Sequence, residues 1–342
     1  MKKLKSLIST KQIFVVGNSR SGTTMMGRIL RNHSDIFTFK ELHFFGQLWS
    51  SEDQSKVLSQ KQAVELCSRL LCIQEFGIFN QDKPNQFVDV SETIIQRSNL
   101  SSLEVFKLFL SHVSSKNNKI ISCDQTPRNV FYINEILQNF PNARIINMVR
   151  DPRDVLLSQK NKWRRRYFGA SGIPFREVIR SYFNYHPITI SKIWNTAINS
   201  AKTPKNDRIK TIRYEDLISN DKDTLLDLCK FLGIIFHEDM LKVPNIGSST
   251  QVDNNNLLGV DKSKIRKWEN GGLISSELYI CQKMCKQNMY ENNYNPKLFS
   301  FPPLLIIVSI FSFPFKIFIS FLLNLHRIKN IKELVKKRIL NK

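Results

Sequence analysis

Short apolar runs and helix-spaced apolar residues alternate along most of the chain. Residues 13–16 form a β-branched apolar run that ends at Gly17, a pattern typical of a strand buried on both faces of a sheet. Apolar residues then recur at helical spacing from Met25 to Leu30, and the polar residues 32–34 follow. The chain therefore begins with a predicted strand, a glycine turn and a helix, which is half of a βαβ unit.

The same alternation continues downstream. Further strands are predicted at residues 87–90, 120–123, 144–149 and 208–212, and helices at 129–140, 152–163 and 224–232. Pro152 suits a first helical turn, and Gly233 suits a helix C-cap. We therefore predict an α/β fold with a mostly parallel central sheet flanked by helices, with ligands at the carboxyl ends of the strands.

The carboxyl-terminal pattern differs from the rest. Residues 1–299 are interpreted as one domain, without an internal repeat, and residues 300–342 as a tail that is first apolar and then basic. Residues 304–325 approach the length that spans a bilayer, but Pro314 and Lys316 interrupt them, and basic residues follow. This favours association with a membrane surface over a span or a helix packed on the core.

Composition narrows the class of protein. A hydrophobic content of 42% in 342 residues excludes a disordered chain, and the formal net charge of +22 indicates anionic partners such as nucleotides, nucleic acid or lipid. The six cysteines are scattered and are interpreted as reduced; Cys281 and Cys285 lack a second ligand pair, so no metal site is expected. Residues 1–11 are basic but do not form a signal peptide.

A glycine loop follows the first strand. Gly17 and Gly22 bracket four residues, and backbone N–H groups in such a turn form an anion site with the next helix. A nucleoside triphosphate loop has lysine after its last glycine, whereas here Thr23 follows Gly22 and the cation is Arg20. The loop therefore lacks the lysine that reaches a γ-phosphate.

The strand, this loop and the helix resemble the first motif of the sulfotransferase family, G-x-x-[KR]-[ST]-G-[ST]-[ST]. The resemblance implies a fold like that of P-loop nucleotide hydrolases and a donor, 3′-phosphoadenosine 5′-phosphosulfate. It also implies that the loop holds the 5′-phosphosulfate end and that Arg20 stabilises charge on the leaving oxygen. The residues so assigned are Arg20, Ser21, Gly22, Thr23 and Thr24.

A second motif joins the strand at 144–149 to the next helix. Arg150 follows the strand and Ser158 lies within the helix, so both point towards one site, where Arg150 can offer two donors to a phosphate. This segment resembles the family's 3′-phosphate motif. Arg153 and Asp154 are expected to be solvated or paired on the helix surface. Lys264 and Lys267 resemble a late basic segment that contacts the 3′-phosphate or adenine.

Two side chains are candidates for the base that accepts the acceptor's proton. Glu41 and His43 follow the first helix by a short predicted strand, in a segment that resembles the glutamate-containing segment of tyrosylprotein and heparan-type sulfotransferases. We favour Glu41 over His43. Gln125 stands where the family usually has lysine, so that charge is absent or comes from Arg128.

The resemblance implies transfer of a sulfuryl group to a hydroxyl or amine of a carbohydrate, lipid, peptide or small molecule, without a metal. The alternatives are a kinase-like or nucleoside triphosphatase-like protein and a basic membrane-binding module. The basic cluster at 163–167 is too short to indicate nucleic acid, residues 213–217 are interpreted as structural, and residues 245–267 as a loop that closes over a ligand. We expect a cytoplasmic enzyme, peripheral to or anchored in the inner membrane.

Overall fold

The structure is a computed structural model that describes residues 11–245, 254–259, 261–300, 303–325 and 330–340. In chain order its strands are β1 (Lys11–Gly17), β2 (Ile36–Thr38), β3 (Val57–Leu58), β4 (Leu100–Ser101), β5 (Ile121–Asp124), β6 (Arg144–Val149), β7 (Ile209–Arg213), β8 (Pro244–Asn245) and β9 (Asn254–Leu258). The central sheet has the strand order β2-β5-β1-β6-β7, and all its pairings are parallel. The predicted fold class is confirmed.

Helices cover both faces of this sheet. They are α1 (Thr23–Arg31), α2 (Gln60–Phe76), α3 (Val88–Ile94), α4 (Ser102–Lys116), α5 (Ile133–Asn139), α6 (Pro152–Lys160), α7 (Phe175–Phe183), α8 (Pro187–Lys202), α9 (Tyr214–Ser219), α10 (Asp221–Leu232), α11 (Ser275–Glu291), α12 (Ile306–Asn324) and α13 (Ile331–Val335). Alternate residues of β1 enter two separate cores, Phe14 and Val16 on one face and Ile13 and Val15 on the other. The continuous apolar run of β1 therefore reflects burial on both faces.

Four of the five predicted strands lie in the central sheet, and the prediction at residues 87–90 is wrong. That segment ends a 3₁₀ turn (Pro84–Phe87) and begins α3. Val88, Ser91 and Ile95 face inward at helical spacing, and the Ser91 side chain accepts a hydrogen bond from Ser68 of α2 at 2.9 Å. Contacts with α2 therefore outweigh the strand propensity of an alternating four-residue run.

The predicted helices are present with shifted ends. The helix expected at 129–140 is a 3₁₀ turn (Pro127–Tyr132) that leads into α5, and the one expected at 152–163 ends at Lys160, before a second 3₁₀ turn (Lys162–Tyr167). Gly233 closes α10 with a φ of 59°, as its position predicts. All six cysteines are free and buried.

The apolar part of the tail is helical, and the predicted loop before it is only partly described. Helix α12 (Ile306–Asn324) accounts for most of residues 304–325, and it is long and apolar enough to cross a membrane by length and composition. The loop predicted at 245–267 contains β9 and the 3₁₀ turn Lys262–Lys264, and a further 3₁₀ turn, Lys267–Asn270, begins at its end. Its residues 246–253 and 260 lie outside the described residues, as do residues 1–10. The division of the chain at residue 300 remains an expectation.

Gly17→Ala is expected to lower the free energy of unfolding by at least about 2 kcal/mol. Gly17 has a φ of 143°, and an added Cβ would lie 2.3 Å from the carbonyl oxygen of Met148 in the neighbouring strand β6. Chemical denaturation followed by circular dichroism measures the change. Gly172→Ala is the matched control, because open space surrounds that position, and it should stay within about 0.5 kcal/mol of the parent. Equal stability of the two variants would contradict the prediction.

Candidate active site

The parallel sheet brings the ends of its strands together at one edge. β1 ends at Gly17, β6 is followed by Arg150, β5 ends at Asp124, and β7 is followed by Tyr214. All the sequence motifs therefore meet at the carboxyl edge, where ligands of such sheets bind. The described surface also has a basic cavity at the opposite, amino edge, away from the motifs, lined in part by Lys11, Arg144, Arg208 and Lys230.

The loop between β1 and α1 is built from left-handed turns. Arg20 and Gly22 have φ values of 77° and 93°, and the Ser21 backbone N–H donates to the Asn18 carbonyl at 3.1 Å. The Ser21 hydroxyl is buried and has no hydrogen-bond partner among the described residues, and the N-cap of α1 is Gly22, which has no side chain to cap the helix. A bound anion would satisfy both the hydroxyl and the first N–H groups of the helix, so the loop fits a phosphate.

Arg20 links the two motifs directly. Its Nε donates a hydrogen bond of 2.9 Å to the hydroxyl of Ser158, which lies in the last turns of α6. Burial, followed by the charges of Arg165 and Arg150, lowers the pKa of Arg20 to about 9. The guanidinium therefore remains charged at pH 7, yet it lies in surroundings where a further negative charge would be strongly favourable.

Arg150 lies on the other side of the same loop. Its Nη1 donates to the carbonyl of Arg20 at 3.3 Å, and its Nη2 donates to the carbonyl of Lys264 at 2.7 Å. The guanidinium carbon lies 4.3 Å from the ring centroid of Tyr214, and that ring occupies the space where a Cβ on Gly22 would stand, 2.5 Å away. Tyr214 thus packs the loop against Arg150, which agrees with the structural role expected for residues 213–217.

The late basic segment lies over α6. The Trp268 backbone N–H donates to Asp154 Oδ1 at 3.0 Å, and Lys264 Nζ lies 3.8 Å from Asp261. Burial lowers the pKa of Lys267, and the charge of Arg150 acts in the same direction. The segment therefore brings Lys264 and Lys267 to the Arg150 side of the site.

Arg153 and Asp154 are not on the surface, which corrects the expectation from the sequence. Both are buried: Arg153 forms a 2.7 Å ion pair with Asp151 and lies 3.9 Å from the Trp268 ring centroid. Burial raises the pKa of Asp154 to about 6 although Arg150 opposes the shift. The sequence allowed for pairing of Arg153 and Asp154. It did not indicate their burial, because the late basic segment that covers them is far away in the sequence.

Glu41 and His43 form a pair. Glu41 Oε2 lies 3.3 Å from His43 Nε2, and the His43 backbone N–H donates to the Thr126 hydroxyl at 3.3 Å. The Glu41 side chain is 38% exposed, whereas His43 is 11% exposed, and His43 Nδ1 is buried without a partner among the described residues. The carboxylate is therefore the member of the pair that an acceptor can reach.

The pKa shifts assign a protonation state to this pair. Burial lowers the pKa of His43 despite the opposing effect of Glu41, so the imidazole is neutral at pH 7. Burial alone would raise the pKa of Glu41, but the hydrogen bond and charge of His43, followed by Lys162 and Arg128, hold that pKa below its usual range. Glu41 is thus an ionised carboxylate that accepts from His43.

The segment after β5 contacts the Glu41–His43 pair through the Thr126 hydroxyl. Thr126 donates to Asp124 Oδ1 at 2.6 Å, and Asn129 donates to Asp124 Oδ2 at 2.9 Å, while burial raises the pKa of Asp124 to about 6. Gln125, at the family's lysine position, packs against Gly27, where an added Cβ would lie 2.2 Å from its Oε1. Among the described residues, no three His, Cys, Asp or Glu side chains form a group that could hold a metal ion.

Lys162 is a site residue that the sequence does not reveal. Burial, followed by the charges of Arg180, Arg20 and Arg128, lowers its pKa to about 7, and Glu41 acts in the opposite direction. Lys162, the first residue of the 3₁₀ turn Lys162–Tyr167, is therefore one of the cations that act on Glu41. In the sequence it precedes a basic cluster that has the pattern of a solvated surface, so neither spacing nor composition distinguishes it.

Comparison with known proteins agrees with this arrangement. A profile described as "Sulfotransferase family" matches residues 12–238. The chain is 26% identical over 144 residues to a flavonol sulfotransferase-like protein of Flaveria bidentis (40% of this chain, 45% of the relative) and 21% identical over 257 residues to carbohydrate sulfotransferase 5 of Mus musculus (65% and 64%). It is also similar in fold to the solved sulfotransferase domain from the curacin biosynthetic pathway (TM-score 0.51, 20% identity, 83% of this chain and 98% of that chain).

These matches differ in how much of each protein they cover. The chain spans less than two thirds of the length of both curated relatives, and 30% of an uncharacterized protein of Aquifex aeolicus with which it shares 23% identity over 263 residues. The family profile, by contrast, covers more than half of this chain and includes the loop, Glu41, Arg150 and Ser158. On that match the chain belongs to the sulfotransferase family.

Proposed function

We propose that the protein transfers a sulfuryl group from 3′-phosphoadenosine 5′-phosphosulfate to a hydroxyl or amine acceptor. The observation that carries the proposal is the hydrogen bond between Arg20 of the first motif and Ser158 of the second. It joins the two predicted phosphate contacts at one edge of the sheet, as a donor with phosphates at both its 5′ and 3′ positions requires.

In this proposal the loop residues and the second motif bind opposite ends of the donor. Ser21, Gly22, Thr23 and Thr24 would bind the 5′-phosphosulfate through the loop and the start of α1, where the unpaired Ser21 hydroxyl supports anion binding. The 3′-phosphate would be held on the Arg150 side, by Arg150, Ser158, Lys264 and Lys267. Because Arg150 is bonded to the carbonyls of Arg20 and Lys264, both halves of the donor site are coupled mechanically.

Arg20 and Glu41 would carry the chemistry. When bound, the donor supplies the sulfuryl group, which passes to the acceptor atom while adenosine 3′,5′-bisphosphate leaves. Arg20 stabilises the charge that develops on the leaving phosphate oxygen, because it is buried and remains cationic. Glu41 accepts the acceptor's proton, and neutral His43 orients it by donating a hydrogen bond.

The acceptor and the location are part of the proposal. The donor motifs leave the acceptor open among carbohydrates, lipids, peptides and small molecules. We infer a cytoplasmic protein that works at the inner face of a membrane, and the exposed apolar face of helix α12 supports this location.

Isothermal titration calorimetry tests the donor assignment. Adenosine 3′,5′-bisphosphate should bind without magnesium, and at least about tenfold more tightly than ATP, a difference of about 1.4 kcal/mol. The physical reason is that the loop offers Arg20 and no lysine for a γ-phosphate, while the Arg150 side offers cations for a 3′-phosphate. Preference for ATP would favour a kinase-like or triphosphatase-like protein, and binding of neither nucleotide would favour a basic binding module.

Glu41→Gln should reduce turnover at least about 100-fold, the usual contribution of a positioned base, while leaving the affinity for adenosine 3′,5′-bisphosphate unchanged. Transfer from labelled donor to a panel of acceptor classes measures turnover, and calorimetry measures binding. Glu52→Gln, at an exposed carboxylate elsewhere, is the control. Parent-like turnover of Glu41→Gln would remove Glu41 from the mechanism.

His43→Phe should move the acid limb of the rate against pH to higher pH. The base works as a carboxylate, so activity is lost as the pH falls through the pKa of Glu41. His43 holds that pKa below its usual range, and removing its hydrogen bond raises the pKa. His43→Gln, whose amide can still donate, should shift the limb less. An acid limb that stays in place in His43→Phe would show that His43 does not set the ionisation of Glu41.

A further inference from the structure

Helix α12 turns its polar face towards the protein and its apolar face away from it. Its polar residues are spaced by three and four, so they form one stripe along the helix: Ser309, Ser312, Lys316, Ser320 and Asn324. In a helix packed on a soluble protein, such a stripe would face water. Here it faces the protein.

The stripe is bonded to the end of α7 and the turn after it. Lys316 Nζ donates to the Tyr185 carbonyl at 3.3 Å, and Ser320 Oγ donates to Asn184 Oδ1 at 2.6 Å. Arg180 Nη1 donates to Asn324 Oδ1 at 2.9 Å. Nearer the start of the helix, His186 Nε2 lies 3.1 Å from the Ser309 carbonyl and 3.5 Å from the Ser312 hydroxyl, so the polar face of α12 lies against the domain.

The opposite face is apolar and open. Phe311 is 80% exposed and Phe318 is 60% exposed, and their apolar neighbours on the same side are exposed as well. Helix α7, which contacts α12, adds exposed Phe175 and Ile179. Apolar surface of this extent on one side of a molecule marks contact with a partner or a membrane.

The ends of α12 exclude a span in this arrangement. After the helix, Glu333 accepts a hydrogen bond of 2.9 Å from the Ser51 backbone N–H, and Lys337 pairs with Glu135 of α5. Before it, the carbonyl of Asn295 accepts a hydrogen bond of 2.9 Å from Arg153. Both ends return to the same domain, so the helix lies along its surface.

This arrangement also revises the role expected for the basic tail. Lys337 Nζ lies 4.6 Å from the ring centroid of Tyr132, and the guanidinium carbon of Arg338 lies 5.4 Å from that of Phe131. These two cations contact the protein rather than being free to meet lipid.

Helix α12 is linked to the surroundings of Glu41. Among the charges that act on Lys162, that of Arg180, which binds Asn324 of α12, has the largest effect, and Lys162 in turn acts on Glu41. In the same 3₁₀ turn, the Trp163 ring lies 6.4 Å from that of Tyr182, over which Lys316 of α12 stands at 5.3 Å. The turn Lys162–Tyr167 therefore connects helix α12 to the surroundings of Glu41.

We propose that the outward face of α12 lies in the interface of an anionic bilayer, parallel to its plane, and that the acceptor is a hydroxyl-bearing lipid of that leaflet. Charge complementarity favours lipid over a second copy of this chain, because the protein carries a net charge of +22 and two copies would repel. The acceptor assignment rests on the proposed function. The lipid hydroxyl oxygen bonds to sulfur as the bond from sulfur to the donor phosphate oxygen breaks, and the hydroxyl proton passes to Glu41.

The first experiment is flotation of the full chain with vesicles of phosphatidylglycerol, phosphatidylcholine and glycosyl diacylglycerol. The parent should float, and Phe311→Ser with Phe318→Ser should reduce the bound fraction at least about tenfold. The matched control, Ile120→Ser with Ile235→Ser, removes two exposed apolar side chains elsewhere and should float like the parent. A parent that stays in solution as a dimer, and that the Phe311 and Phe318 substitutions convert to a monomer, would show that a second copy covers this face.

The second experiment follows label from the sulfated donor in the same vesicles, with the free sugar and glycerol added in the water phase. Label should enter the lipid phase, and the Phe311 and Phe318 substitutions should reduce this transfer at least about tenfold with unchanged affinity for adenosine 3′,5′-bisphosphate. Label in water-soluble products alone, or in neither phase while the chain binds both vesicles and nucleotide, would overturn the lipid acceptor. Failure to bind the nucleotide would instead overturn the proposed function.

Discussion

The pairing of β1 with β6 is the constraint on which the site depends. Gly17 at the end of β1 lies against Met148 of β6 so closely that an added Cβ would meet the Met148 carbonyl at 2.3 Å. This close approach places the loop beside Arg150, and the following helix α6 carries Ser158 to within hydrogen-bonding distance of Arg20. Two motifs that are far apart in the chain come into contact because two adjacent parallel strands end at the same edge.

The electrostatics of the site follow from this crowding. Arg20 and Lys162 lie beside other cations: Arg165 and Arg150 act on Arg20, and Arg180, Arg20 and Arg128 act on Lys162. Burial, followed by this repulsion, lowers the pKa of Arg20 to about 9 and that of Lys162 to about 7. A site that holds several cations in this way gains free energy when an anion binds, and it keeps Glu41 ionised at neutral pH.

Helix α12 follows the same principle of burying polar groups only with partners. Lys316, Ser320 and Asn324 bond to α7 and the turn after it, so the domain satisfies them, whereas Phe311 and Phe318 on the opposite face are exposed. The length and apolar composition of the helix would be the same if it crossed a membrane. Only the contacts of its polar stripe and the return of residues 331–338 to the domain tell the two apart.

The sequence by itself determined the α/β class, most of the central strands and the two motifs, because these are local patterns: an apolar run, a glycine turn and a helix start. It did not determine that residues 87–90 are helical, that Arg153 and Asp154 are buried, or that Lys162 joins the charges around Glu41. Each of these depends on a partner far away in the chain, namely Ser68, Trp268 and Arg20. The direction in which α12 presents its polar stripe was likewise decided by tertiary contacts, since periodicity shows that two faces exist but not which one meets the protein.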